Sequence, residues 1–311
     1  MIRKVFTIDK KIYFLLIAAL TVSLSVTSCG GGGEDEATNE DAIEEDIDNA
    51  IDTNAATIVR FNNALFSIPS PYEIAILVKE ENIEFNKDFL NPVNRSHNYI
   101  NNFKKALNLG VYGADLGYLN IYEQTPDAIQ YFSAIKLLSQ ELDISNAFDQ
   151  KTIGRIEKNM GNKDSLLYII SNAYRNADKY LKDNNRNELG ALILVGGWLE
   201  SVNILVNIAK TTKNEKIIRR IGEQKYPADN IVKILSPYYN DSEEYAKLIE
   251  SLIDLAYAFD GIDMHYTYKK PDVYPDKKLT VINSESEIVM SDEQLEMISE
   301  KISTIRDKII E

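Results

Sequence analysis

Asp115 and Glu200 are the two acidic residues that stand inside otherwise apolar, helix-patterned sequence, and a pair of carboxylates in such a setting suggests acid–base chemistry. Apolar surroundings raise one carboxyl so that it donates a proton while its neighbour stays ionised. The plainer alternative is that each is a satisfied polar residue, hydrogen-bonded to a tyrosine or lying at the core margin. Tyr112, Tyr118, Tyr122 and Trp198 surround the pair in sequence and could stack on a sugar or a peptide, although aromatic residues at helical spacing usually fill a core. Tyr112, Asp115, Tyr118, Trp198 and Glu200 form the candidate ligand-binding set. Asp260, Asp263 and His265 have a spacing that could hold a divalent cation. Three ligands without a fourth make a poor zinc site, and calcium loops want more carboxylates, so no metal site and no cofactor are expected.

Cys29 is the only cysteine. Arg3, Lys4, Lys10 and Lys11 precede an apolar run from Ile12 to Val26, which thins into small hydroxylated residues before Val26-Thr27-Ser28-Cys29. A membrane span needs about 20 apolar residues, so the run fits a signal peptide better than an anchor. This junction resembles the lipobox of bacterial lipoproteins. The resemblance implies a diacylglyceryl thioether on Cys29, cleavage after residue 28 and fatty-acyl chains such as palmitate on the new terminus. Two or three chains anchor firmly, at about 0.8 kcal/mol per buried CH₂. Gly30 to Gly33 and the cluster Glu34-Asp35-Glu36 follow. That order resembles the export signal of Bacteroidota surface lipoproteins; the other reading is a solvated tether with no stated orientation.

Removing residues 1–28 takes away four basic residues and one acidic one, so the formal charge moves from −14 to −17. Such a surface repels nucleic acid and anionic headgroups. With Cys29 lipidated, disulfides, thiolate zinc sites and cysteine nucleophiles are excluded. The two histidines, His97 and His265, leave little for a catalytic triad, and no phosphate-binding loop, dinucleotide fingerprint or zinc-protease motif is present.

The elements that must position these residues read as helices. Ile43, Ile47, Ile51, Ile58, Phe61 and Leu65 recur at helical spacing and predict an amphipathic helix over 39–66, leaving 29–38 as tether. Ser70-Pro71 opens a helix ending near Glu81, and Ile100, Phe103 and Leu107 mark one closed by Gly110. Thr125-Pro126 caps another. Further helices fall near 128–142, 151–160, 164–183, 187–209, 213–223 and 228–235. Asp241 with Glu244, and Ser291 with Gln294, read as capping boxes, the second opening a terminal helix with the seam Leu295, Ile298, Ile302, Ile305 and Ile309. Between Tyr266 and Met290 the helical period vanishes around Pro271 and Pro275, with a small hairpin expected between Leu279–Ile282 and Glu287–Met290. The fold class expected is all-α: an array or bundle of about ten antiparallel helices over 39–311, with a short irregular or hairpin segment before the last.

GALILVGGWL, from Gly190 to Leu199, is apolar on every side and predicts a central helix rather than a membrane span. Glycine inside a helix costs about 1 kcal/mol against alanine, so Gly113, Gly117, Gly196 and Gly197 ask for a reason. Close helix contact supplies one, with the Gly113 and Gly117 face expected near Gly197 and Ser201. The segments YGADLGYLNIY, NKDSLLYIISNAY and GGWLES resemble those of uncharacterised helical lipoproteins found across Bacteroidota, over most of residues 60–260. The resemblance implies a wholly helical, lipid-tethered envelope protein and brings no activity or ligand with it; the location expected is the outer membrane, with exposure at the cell surface open. The functional expectation is a non-enzymatic module that binds a small ligand or an outer-membrane protein through a concave helical face. The alternatives are an accessory subunit of an outer-membrane assembly and, third, a carboxylate-based hydrolase.

Overall fold

A computed structural model describes residues 58–61, 64–145, 179–275 and 279–311, with residues 154, 155, 158, 159, 165 and 169 between them. All belong to one compact unit, Glu44–Glu311. Cys29, the tether, residues 39–57 of the expected first helix, nearly all of the helix expected at 151–160 and most of the one expected at 164–183 lie outside the described residues, although 179–183 are helical.

The chain is mostly helical, with a few short strands. A hairpin comes first: β1 (Ile58–Phe61) pairs antiparallel with β2 (Ala64–Ser67), Phe61 opposite Ala64. This corrects the helix expected to run to residue 66. Ile58, Val59, Phe61 and Phe66 are residue types that favour strands, so local strand propensity overrides the helical spacing of three apolar positions. Helix α1 (Pro71–Glu80) starts as expected, with Ser70 accepting from the Glu73 amide at 3.2 Å.

Helix α2 (Asn102–Ile121) runs straight through Gly110, where a stop was expected. That glycine is a contact point instead. A Cβ on Gly110 would lie 2.0 Å from the Ile193 carbonyl oxygen, and one on Gly196 would lie 1.9 Å from that of Leu107. The two helix backbones touch there. Helix α3 (Thr125–Glu141) follows, entered from Gln124 with no side-chain cap and with Pro126 in its first turn. Helix α4 (Asn187–Thr212) crosses α2 at Gly110 and Gly196. It is long and apolar enough to span a membrane by length and composition, but 83% of that apolar window is buried inside the protein. It is the central helix that its all-round apolar sequence predicts.

The glycine pairing differs from expectation. Gly196 and Gly197 of α4 meet Leu107 and Gly110, one to two turns before Gly113 and Gly117, and a Cβ on Gly117 would meet only the Tyr72 ring at an ordinary 3.9 Å. The register is set where backbone meets backbone, and Gly117 lies past it.

Helices α5 (Glu215–Gly222), α6 (Lys225–Leu235) and α7 (Glu243–Asp260) continue the array. Ser242 caps α7 by accepting from the Tyr245 amide, so the cap lies one residue beyond Asp241. Between α7 and the last helix the chain forms one bent two-stranded ribbon. β3 (Asp263–Thr267) pairs with β6 (Glu285–Val289), and β4 (Asp272–Tyr274) pairs with β5 (Leu279–Val281). The expected hairpin joined the 279–282 segment to 287–290; instead both segments belong to the returning strand. The two halves are stapled at the bend, where Asn283 Nδ2 donates to the Lys270 carbonyl at 3.0 Å and Ser284 Oγ to that of Lys269 at 3.2 Å. Helix α8 (Asp292–Ile310) opens with the Ser291/Gln294 capping box and buries Leu295, Ile298, Ile302, Ile305 and Ile309, as its seam predicts.

Candidate functional site

Helices α2 and α4 carry Asp115 and Glu200 toward one another just beyond the glycine contact, and α8 supplies what the sequence reading did not include. Arg306 reaches in from the terminal helix and donates from Nε and Nη2 to the two oxygens of Glu200, each at 2.7 Å. Its Nη2 also donates to the Phe89 carbonyl at 3.2 Å. A planar guanidinium matches a carboxylate in this two-point way. Both carboxyls are fully buried, at 0% exposure.

Two carboxyls and one guanidinium leave one negative charge too many for a dry interior, and protonation removes it. Burial is the main force raising Asp115 well above the usual carboxylate range, and the Glu200 charge adds to it, while Arg306 and the Asn91 amide pull the other way. The Asn91 N–H donates to Asp115 Oδ2 at 3.2 Å, and Oδ1 meets no donor. The Glu200 charge beside it favours the neutral form of Asp115, which relieves the repulsion between the two carboxyls. For Arg306, burial works against the charge, but Glu200 outweighs it and holds the guanidinium more firmly protonated.

A second polar layer lies beside the first. Asn91 Nδ2 donates to the Tyr99 hydroxyl at 2.9 Å and to Asn108 Oδ1 at 3.3 Å. Asn108 Nδ2 in turn donates to the Ile309 carbonyl at 2.9 Å, and Tyr99 and Arg95 reach the Ile310 carbonyl at 3.5 Å. The last carbonyls of a helix lack intrahelical partners. Here side chains from the first third of the chain fill that role for α8.

The candidate set therefore divides. Tyr112 stays close to Asp115, but its hydroxyl donates to the Pro92 carbonyl at 3.0 Å and its ring meets Tyr131 edge-on. Burial, above all, pushes its hydroxyl far up. Tyr118 leaves the cluster: it stacks on Phe85 and accepts from the Asn86 amide at 3.2 Å. Trp198 also leaves it, donating to Gln224 Oε1 at 3.0 Å. Two residues before Glu200 on a helix is about 200° around the axis, which places Trp198 on another face. All five are buried, so none presents a surface to a ligand.

Arg306, Asn91, Asn108 and Tyr99 are the members that sequence reasoning missed. Arg306 had a signal, since it falls four residues after Ile302 and three before Ile309, on the apolar stripe itself. His265 and Asp263 lie on exposed β3, and no group of three or more metal-ligating residues occurs among the described residues. An open recess of about 300 Å³ is lined by Lys79, Asn82, Ile83, Glu84, Phe85 and Tyr122. Two of its polar groups are engaged within the protein: the Tyr122 hydroxyl donates to the Ile83 carbonyl at 2.5 Å, and Lys79 sits 4.7 Å over the Tyr122 ring.

No family model matches the chain, and neither does any curated protein or solved structure.

Proposed function

We propose that this chain is a non-catalytic, partner-binding module held on the outer membrane by lipid at Cys29. The partner would be another protein of that membrane. One observation carries the binding half of the reading: of the fourteen large hydrophobic residues exposed among the described residues, eight sit on the ribbon between α7 and α8. Exposed apolar residues scattered singly need no explanation, whereas a concentration on one projecting element marks an interaction surface. The lipobox pattern and the glycine-acidic tether support the location.

The hydrolase reading gains nothing from the carboxylates. A general acid must reach substrate or water, and Asp115 and Glu200 are sealed between α2, α4 and α8 and hydrogen-bonded within the protein. Their arrangement suits a structural keystone.

Photo-crosslinking of the full chain in its native membrane, with the photoreactive group placed on the ribbon at Tyr268, tests the reading. A stoichiometric protein adduct is the expected result. No adduct from any ribbon position would remove the partner-binding function.

A further inference from the structure

The ribbon has two edges, and they are not alike. The outgoing strand, β3 to β4, carries Lys269, Lys270, Pro271 and Pro275. Lysine and proline are the residues that blunt an edge against further pairing. The returning strand, from Leu279 to Val289, has neither. It reads Leu-Thr-Val-Ile-Asn-Ser-Glu-Ser-Glu-Ile-Val, rich in β-branched residues. Among the described residues neither β5 nor β6 has a second strand neighbour.

The base of the ribbon is fixed: Ile288 packs against Gly222 of α5, and Lys225 Nζ donates to the Asp260 and Ile262 carbonyls at 2.9 and 3.1 Å. Beyond that base Tyr266, Val273, Leu279 and Ile282 lie open on the surface, Ile282 at 76% exposure. Asp263 to Tyr274 amounts to about 40 Å of extended chain. A two-stranded hairpin is marginally stable alone in water, and a third strand is what such a ribbon lacks.

Charge decides what that strand is. The open edge holds Glu285 and Glu287 and no cation, and Asp292 and Glu293 follow at the start of α8. Glu285 is engaged by Lys269, while Glu287 has no ion pair among the described residues. A second copy pairing through this edge would set these glutamates against themselves, on two chains that are both strongly acidic. Like charges directly opposite destabilise a strand pair.

We infer that the Leu279–Val289 edge accepts an extended, lysine- or arginine-bearing segment of a partner protein as a third strand. The inference rests on the partner-binding reading and names the surface and the chemistry of the segment. Backbone hydrogen bonds supply affinity in this mode, and alternate side chains supply selection.

The test uses the full chain in detergent and fluorescent synthetic peptides in which valine and threonine alternate with lysine, with glutamate, or with lysine on a backbone N-methylated at every second residue. The lysine peptide should bind and slow amide exchange across Leu279–Val289, and the glutamate peptide should bind at least about tenfold more weakly. Glu287→Lys, an exposed change that leaves the core untouched, should narrow or reverse that preference. N-methylation should abolish binding. No binding at about 1 mM lysine peptide, equal binding of the N-methylated peptide, or exchange protection that follows protein concentration without peptide would each overturn the inference, the last in favour of a second copy. A crosslinked partner together with failed peptide binding removes the strand-addition inference alone. Peptide binding without any crosslinked partner removes the functional reading.

Discussion

Arg306 and Glu200 stand 106 residues apart in sequence and meet through two hydrogen bonds of 2.7 Å at the centre of the protein. The contact joins the last helix to the central one. It also bears on the third member: with the guanidinium already matched to Glu200, burial and the Glu200 charge push the Asp115 carboxyl up, toward its neutral form.

Removing Arg306 should be severe. Arg306→Met leaves Glu200 buried with no counter-charge, a change that costs about 3 to 5 kcal/mol in comparable sites. The double variant Glu200→Gln, Arg306→Met removes both charges and should recover much of that loss. Chemical denaturation of the three proteins checks the pair; equal midpoints for Arg306→Met and the parent would show that the ion pair carries no weight.

Asp115 gives a pH signature of definite sign. A carboxyl raised in the folded state supports stability in full below its unfolded value near 4, and that support drains away as pH climbs toward the folded value. Asp115→Asn keeps an acceptor for the Asn91 amide and places a neutral side chain beside Glu200 that does not titrate. The variant should gain on the parent above pH 4 by up to about 1.4 kcal/mol per pH unit until the folded value is passed. Denaturation midpoints from pH 4 to 8 test this, and a gap that shrinks with rising pH would contradict a neutral Asp115.

The glycines separate by position. Gly110→Ala or Gly196→Ala drives a methyl group into a backbone carbonyl and should destabilise by about 1 to 3 kcal/mol or more. Gly117→Ala meets only ordinary contact with Tyr72, so helix propensity should raise stability by up to about 1 kcal/mol. Thermal midpoints of opposite sign are expected.

Cys29→Ala should abolish fatty-acid labelling and leave a precursor that retains residues 1–28. Labelling that persists in the variant would remove the lipid anchor and the outer-membrane location together.

Helices were legible wherever a cap and an apolar period agreed, as at Ser70-Pro71 and along Leu295 to Ile309. Misreadings arose where one residue type serves two purposes. Gly110 reads as a stop because glycine ends helices, yet here its missing side chain admits α4. Ile58, Phe61 and Leu65 fit a helical period, yet the strand propensity of β-branched and aromatic residues prevailed and the segment is a hairpin. The carboxylate pair was visible as two acids in apolar sequence. Its counter-ion showed only as an arginine on the apolar stripe of α8, since nothing local in Ile305-Arg306-Asp307 says which distant helix the arginine meets. The ribbon register was hidden for a related reason: the stapling at Asn283 and Ser284 depends on long-range backbone geometry.

The capture of the Ile309 and Ile310 carbonyls by Asn108, Tyr99 and Arg95 gives the protein a direction in time. Synthesis proceeds from the amino end, so α2 and α4 exist long before the turn that must neutralise and cap their shared interior. Glu200 therefore gains its cation from a helix made after both α2 and α4, and the closed core depends on an element that follows its partners in the chain.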